Sequence, residues 1–358
     1  MIIEDSMVSL AKRYTKLEFH EKTKRYYGTC PFCHSGADMF CADNKNGVFW
    51  CYACGKHGNM DDFKILMGQE KPEMPQEPDD EELQTIYEAA AVFYFRYLME
   101  HRDSDAFRYI TKTRKLPEST LSAFGLGYAP AENAMLYQYL SERFSEQQIY
   151  ASGLVKHGKD GQPYDMFRNR IMFPILNRKG RTVAFGGRRL GDGYGPKYLN
   201  SAENRIFSKH TILYGFQTAI AAAEEEKSIV IGEGYMDLIA MQTHGIRNSA
   251  AVLGTALTEE HANMIRNFYS HVCLSLDSDG PGIRAAARSI PILQNAGLQV
   301  SILHTSPAKD PDEFLQTYGE EEFRKRIENG LDPERFLVRA ADAPEEEFIR
   351  QMIKKCKT

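Results

Sequence analysis

The chain has 358 residues, which is more than one average domain holds, so two or three domains are expected. Its hydrophobic share of 42% suffices for packed cores, and no apolar run approaches the roughly 20 residues that a membrane span requires. The formal net charge of −5 argues against a uniformly basic nucleic-acid-binding protein. The N-terminus lacks a basic region followed by an apolar core, so we expect no signal peptide, no membrane contact and a cytoplasmic location.

Cysteines are concentrated in the first sixty residues. Cys30 and Cys33 form one CxxC pair, and Cys51 and Cys54 form a second pair seventeen residues further on. Two thiolate pairs at this spacing predict one tetrahedral, structural zinc ion with no open coordination position. Three other possible ligands are disfavoured. His34 adjoins Cys33, which makes ligation by both awkward. Cys41 is expected to pack inside the ribbon, and His57 is expected to lie on the surface.

Basic and aromatic residues surround this predicted zinc site. Such a mixture suits single-stranded nucleic acid, because nucleobases stack on aromatic rings and phosphates pair with cationic side chains. An ordinary ribbon core with surface lysines explains the same residues about equally well. Lys56, beside a glycine turn, is the base for which we predict a binding role.

The middle of the chain changes character several times. Residues 67–82 combine prolines with acids, which favours an extended linker. Helical periodicity follows to about residue 155, and short strands are predicted at 170–175 and 181–185. Between Arg168 and Lys209 there are ten Lys or Arg residues against two acids, a local concentration of charge that fits binding of a polyanion. The alternative explanation, which we favour less, is a solvated face of a long chain.

From Ser228 onward, strand and helix patterns alternate. Strands are predicted at 228–232, 249–253, 271–276 and 299–303, and helices near 235–244, 258–268, 282–296 and 311–317. This alternation with short connections predicts a parallel sheet flanked by helices.

Acidic residues follow three of these predicted strands. They form three groups: Glu233 with Asp237, Asp277 with Asp279, and Asp310 with Asp312. Because the carboxyl ends of parallel strands meet at one crevice, these carboxylates should converge. Such a cluster is typical of Mg²⁺ sites that handle phosphates, whereas each acid alone would more simply be a helix cap or a solvated turn.

The order of these motifs resembles bacterial and phage DnaG-type DNA primases, whose polymerase core contains a TOPRIM fold. The resemblance covers nearly the whole chain. It rests on the two CxxC pairs and on segments 167–175, 185–188, 196–201, 206–209, 213–215, 233–237, 253–258, 277–280 and 310–314.

The resemblance implies a fold of mixed α+β and α/β character in several domains. These are a zinc-binding ribbon at 1–66, the linker at 67–82, a basic subdomain at 83–226, a TOPRIM-type parallel α/β sheet at 227–318 and a helical segment at 319–358. It also implies a template-directed RNA polymerase that starts primers de novo on single-stranded DNA from ribonucleoside triphosphates.

Residue roles follow from the same resemblance. Catalytic Mg²⁺ or Mn²⁺ would be bound by Glu233, Asp277, Asp279, Asp310 and Asp312. Template or nucleotide would be contacted by Arg168, Arg188, Lys197 and Lys209, and the nucleotide site would be shaped by Tyr235 and Asp237.

Three features depart from the family pattern. Cys33 stands where many bacterial relatives have histidine, and Ser278 replaces a common glycine. The chain ends at Thr358, where relatives usually continue into a domain that binds the replicative helicase, so helicase binding is in doubt. The rival functions are another TOPRIM enzyme, namely a nuclease or topoisomerase, and a non-catalytic protein that binds single-stranded DNA.

Overall fold

The computed structural model describes residues 6–68, 78–158, 160–191, 195–254, 256–276 and 280–341. The chain divides into two compact units, Met1–Gln76 and Glu77–Thr358. Most of the predicted linker, Asp277, Asp279 and residues 342–358 lie outside the described residues. None of the described helices is both long enough and apolar enough to cross a membrane.

The first unit is a small antiparallel sheet between two short helices. Its elements are α1 (Met7–Ala11), β1 (Leu17–His20), β2 (Arg25–Gly28), β3 (Phe40–Asp43), β4 (Val48–Cys51), β5 (His57–Asn59) and α2 (Met60–Leu66). The five strands pair in sequence order. One face of the sheet is covered by a core that contains Phe40, Phe49 and Phe63, each at most 1% exposed. The strands predicted on either side of Asn46 and Gly47 are present as β3 and β4.

The second unit begins with a helical layer on an antiparallel sheet. The helices are α3 (Asp80–Glu100), α4 (Asp105–Arg108), a π-helical turn (Tyr109–Thr113), α5 (Glu118–Phe124), α6 (Met135–Ser141), α7 (Glu146–Ala151) and α8 (Phe216–Ala222). The strands are β6 (Gly127–Ala129), β7 (Val155–His157), β8 (Pro163–Asp165), β9 (Arg170–Leu176), β10 (Thr182–Arg189) and β11 (Tyr198–Asn200). Four strands pair in the order β11-β10-β9-β6, and β7 pairs with β8.

A parallel α/β sheet follows in the same unit. Its strands are β12 (Ser228–Gly232), β13 (Ser249–Ala251), β14 (His271–Ser275) and β15 (Gln299–Ile302), in the order β13-β12-β14-β15. Its helices are α9 (Tyr235–Thr243), α10 (Glu259–Arg266), α11 (Gly280–Asn295), α12 (Pro311–Glu328) and α13 (Pro333–Ala341). Ile229, Val230 and Ile231 are fully buried, as expected for a strand with both faces covered.

The predicted elements of this region agree with the structure to within two residues except in α12. That element continues to Glu328 as two helical pieces, because Gly319 adopts a φ of 81° between them. The parallel sheet and the preceding antiparallel sheet share one core, in which Tyr235, Met236 and Leu238 pack with Phe173 and Ile175. The predicted domain boundary at residues 226 and 227 therefore falls inside a single compact unit.

Candidate zinc site and candidate active site

Four cysteines of the first unit come together as the sequence predicts. The potential ligand atoms of Cys30, Cys33, Cys51 and Cys54 all lie within 4.8 Å of one another. The Cys30–Cys54 and Cys33–Cys51 sulfur distances are 4.0 and 3.9 Å. A tetrahedral ion with zinc–sulfur bonds of ~2.3 Å separates its sulfur atoms by ~3.8 Å, so the cluster fits zinc.

Local backbone geometry prepares these thiols for a metal ion. The backbone N–H groups of Phe32 and Cys54 donate to the sulfurs of Cys30 and Cys51, each at 3.4 Å. The hydroxyl and backbone of Ser35 lower the pKa of Cys33 to about 6. Burial raises the pKa of Cys30 to about 12, so a metal ion must displace its proton.

The rejected ligands lie elsewhere, as expected. Cys41 is buried on β3 and does not belong to the four-cysteine cluster. His34 is exposed, and the Nδ1 atom of His57 lies 3.0 Å from the carbonyl oxygen of Gly55.

Cations stack on aromatic rings in this unit. The guanidinium of Arg25 lies 4.8 Å from the Trp50 ring centre, and Tyr52, 61% exposed, packs edge-on against Trp50. The Lys56 ammonium lies 5.1 Å from the centre of the Phe32 ring. The basic and aromatic residues that the sequence places around the zinc site therefore contact one another directly.

We predict that Cys51→Ser lowers the zinc content of the purified protein from one ion per chain to well below one, since three thiolates leave the tetrahedral site incomplete. Elemental analysis of the dialysed protein measures this. Trp50, the single tryptophan of the chain, adjoins Cys51, so its fluorescence should shift as the first unit loosens.

The matched control is Cys41→Ser, which changes a cysteine of the same ribbon outside the cluster. It should keep one zinc ion per chain. Equal loss of zinc in both variants would contradict the four-cysteine assignment.

A crevice lies at the carboxyl end of the parallel sheet. β12 and β14 are neighbours in register, with Gly232 opposite Ser275, so Glu233 and Leu276 leave the sheet side by side. Both residues line a cavity of about 220 Å³. Its described lining comprises Ile231, Glu233, Val252, Gly254, Ala256, Leu257, Leu274, Leu276, Pro281, Ala285, Arg288 and Ser289. The chain then continues directly into Asp277 and Asp279.

Asp237 and Tyr235, which the sequence assigns to the nucleotide site near Glu233, form hydrogen bonds within the protein. Asp237 is buried on α9, and its carboxylate accepts a hydrogen bond from the Gly234 backbone N–H at 3.2 Å. The Tyr235 hydroxyl donates to Asn200 at 2.8 Å. A Cβ atom on Gly186 would come within 2.3 Å of Tyr235, so only glycine fits beneath this ring. Tyr235 thus joins α9 to β10, and it does not line the described cavity.

The third acidic group lies at the start of α12. Asp310 caps this helix by accepting from the Glu313 backbone N–H at 2.8 Å. Asp312 is 2% exposed, and its two carboxylate oxygens accept hydrogen bonds from Arg114 at 2.5 Å and from Gln316 at 2.7 Å.

Arg114 follows the π-helical turn, and sequence analysis did not single it out. Burial alone would lower its pKa, but the hydrogen bond to Tyr109 and the charge of Asp312 raise it. Arg114 therefore stays charged and connects the start of α12 to Tyr109. No motif in the sequence marks this pairing across 198 positions.

A second cavity, of about 340 Å³, carries positive charge. Its described lining is Tyr109, Arg188, Arg189, Leu190, Gly191 and Lys197. The Arg188 guanidinium lies 4.0 Å from the centre of the Tyr109 ring. Buried Arg170 donates to the carbonyl oxygens of Gly187 and Pro196, which fixes the strand and the loop that carry Arg188 and Lys197.

The other predicted bases lie outside this cavity. Arg168 is exposed in the turn before β9, where it donates to the Asp165 carbonyl oxygen at 2.6 Å. Lys209 lies in the loop before α8, and its backbone N–H donates to Glu203 at 2.8 Å. The structure thus brings together Arg188 and Lys197, two of the four.

Comparison with known proteins identifies the family. Three family models match: the CHC2 zinc finger at residues 3–76, the DNA primase catalytic core N-terminal domain at 93–220, and the Toprim-like domain at 230–315. A DNA primase of Aquifex aeolicus is 30% identical over 97% of this chain and 72% of the relative. The chain belongs to the DnaG-type DNA primase family.

Other family members agree in sequence and structure. A DNA primase of Halalkalibacterium halodurans is 36% identical over 87% of this chain. The zinc-binding and RNA polymerase domains of Aquifex aeolicus primase superpose with a TM-score of 0.67 at 28% identity, covering 98% of this chain and 89% of that one. A DNA primase domain from Pseudomonas aeruginosa has a TM-score of 0.67 at 36% identity, covering 75% and 87%.

The chain is shorter than many relatives. It spans 56% of the Halalkalibacterium halodurans primase and 55% of a Listeria monocytogenes primase that is 33% identical over 89% of this chain.

We predict that Arg114→Met and Asp312→Asn each destabilise the second unit by about 3 kcal/mol or more, because each leaves one buried group without its charged partner. The double variant should cost clearly less than the sum of the two single changes. Urea unfolding of all three variants measures this.

The surface pair Arg102 and Glu118, which is 55% and 52% exposed, provides the control. Arg102→Met should cost less than ~1 kcal/mol. Additive losses in the Arg114 and Asp312 variants would show that the buried pair does not act as a unit.

Proposed function

We propose that this chain is the catalytic part of a DNA primase, which synthesises short RNA primers de novo on single-stranded DNA from ribonucleoside triphosphates. The observation that carries the proposal is the crevice where Glu233 and Leu276, the residue before Asp277, leave adjacent, in-register strands. The cation-lined cavity of the same compact unit supports it. Such a protein would act at the replication fork in the cytoplasm.

Carboxylates would hold divalent cations, Mg²⁺ or Mn²⁺. We assign this role to Glu233, which lines the crevice, and, from the family resemblance, to Asp277, Asp279 and Asp310. When bound, these ions would orient the attacking 3′-hydroxyl group and stabilise the leaving pyrophosphate. Asp312 would contribute mainly by holding Arg114, because both of its oxygens accept hydrogen bonds from protein groups.

The protein itself would position nucleotide and exclude water. Ile231, Val252 and Leu274 form an apolar floor under the crevice, where charge–charge interactions are stronger than in water. The first turn of α11 begins beside it, and helix N-termini favour phosphate. Tyr235 and Asp237 would shape the nucleotide site indirectly, by fixing α9 and Gly234 behind Glu233.

Phosphates of the template would pair with Arg188 and Lys197. Tyr109, stacked on Arg188, offers a ring at the same cavity, a combination that suits single-stranded nucleic acid. Arg168 and Lys209 would extend this path along the unit. A DnaG primase catalytic domain bound to single-stranded DNA has a TM-score of 0.66 at 28% identity, covering 77% of this chain and 91% of that one, which supports this part of the proposal.

The zinc-binding unit would contact the template through aromatic and basic residues near the second cysteine pair. Trp50 and Tyr52 could stack with bases, and Arg25, which already stacks on Trp50, could pair with phosphate. Lys56 lies on the turn after the second cysteine pair, where it would make a further phosphate contact.

Incubation with single-stranded templates, all four ribonucleotides and Mg²⁺ or Mn²⁺ tests the proposed activity. We predict short RNA products with a 5′-triphosphate, since a chain started de novo keeps the phosphates of its first nucleotide. Gel analysis of labelled products measures this, with a template-free reaction as the control. Shortened template would instead indicate a nuclease, and binding without product would indicate a non-catalytic protein.

A further inference from the structure

One wall of the crevice is formed by α11. Pro281, Ala285, Arg288 and Ser289 line the cavity at helical spacings of four, seven and eight residues from the first of them. These positions lie on one helix face, so the face rather than the helix end alone borders the crevice. Glu233 lines the same cavity.

Charge is unevenly distributed around this cavity. Among its described lining residues, Glu233 is the one acid and Arg288 is the one base. The other described lining residues are apolar, apart from glycine and Ser289, and the Ser289 hydroxyl donates to the carbonyl oxygen of Ala285 at 2.8 Å. Arg288 is exposed two turns into α11, which leaves its guanidinium accessible to a ligand.

We propose that Arg288 contacts the β- and γ-phosphates of the incoming nucleotide and then the pyrophosphate that leaves. This inference rests on the proposed primase function. In the reaction, the 3′-oxygen of the growing chain bonds to the α-phosphorus and its proton passes to solvent. The bond from the α-phosphorus to the bridging oxygen breaks, and its electron pair leaves with pyrophosphate.

Electrostatics explains why a cation is needed on this wall. Glu233 brings negative charge to the crevice, and a bound nucleotide would add a triphosphate. Divalent cations held by carboxylates would offset part of this repulsion. The guanidinium of Arg288, which lines the same cavity, can donate two parallel hydrogen bonds to phosphate oxygens and supplies a further positive charge.

The test compares Arg288→Gln, Arg288→Lys and Arg335→Gln with the unchanged protein. Arg335 is an exposed arginine on α13 outside the described lining of the crevice, so it controls for loss of one positive charge. The probes are inorganic pyrophosphate with Mn²⁺, studied by calorimetry without template, and ribonucleotides, studied in primer synthesis.

We expect Arg288→Gln to raise the dissociation constant of pyrophosphate, its inhibition constant and the nucleotide KM by roughly tenfold or more, as loss of a hydrogen bond to a charged group predicts. Arg288→Lys should recover part of this loss, because it keeps the charge but not the paired hydrogen bonds. Arg335→Gln should match the unchanged protein, and Mn²⁺ affinity without pyrophosphate should stay the same in every variant.

Two results would overturn the inference. The first is equal affinity of pyrophosphate for the Arg288→Gln and Arg335→Gln variants. The second is a change in Mn²⁺ affinity of Arg288→Gln without a change in pyrophosphate affinity, which would mean that Arg288 acts on Glu233 instead. Absence of RNA synthesis by the unchanged protein would contradict the proposed function separately, because the calorimetric comparison does not require turnover.

Discussion

The parallel pairing of β12 with β14 is the constraint on which the rest of the candidate active site depends. Gly232 faces Ser275 in register, so the chain leaves both strands at the same height and Glu233 emerges beside Leu276, the residue that precedes Asp277 in the sequence. A shift of the pairing by one residue would move each buried side chain of β12 to the opposite face of the sheet. Both faces are covered, so each side chain would then meet packing neighbours that do not fit it. The packing that stabilises the sheet therefore also fixes where the acids emerge.

The position of the cationic cavity depends on two contacts within the second unit. Tyr235 packs from α9 onto Gly186 of β10, and Arg114 joins Asp312 to Tyr109. Both contacts connect the parallel sheet with elements that carry or border Arg188. Tyr235 and Asp312 resemble nucleotide and metal ligands in the sequence, but in the structure they also hold acidic and basic regions in a fixed relation. The proposed function requires such a relation, because the template must be positioned against the reacting nucleotide.

Local patterns in the sequence predicted much of this structure. Alternation of apolar strands with helices identified the four parallel strands, and the CxxC spacing identified the four cysteines that come together, because both signals depend on neighbours in sequence. The pairing of Arg114 with Asp312 could not be found this way, since it spans 198 positions without a motif. The same holds for Arg288, because only the folded chain shows that it lines the crevice. The density of Lys and Arg residues in the sequence indicated the cationic region. Only the fold shows that Arg188 and Lys197 line one cavity whereas Arg168 and Lys209 lie outside it.

The most direct test of the central claim is primer synthesis by Glu233→Gln, measured beside its binding of single-stranded DNA and its zinc content. The substitution keeps the size of the side chain and removes one negative charge from the crevice. We predict loss of RNA synthesis by a factor of about one hundred or more, with template affinity and one zinc ion per chain retained. Synthesis at the rate of the unchanged protein would contradict the assignment of this crevice as the active site.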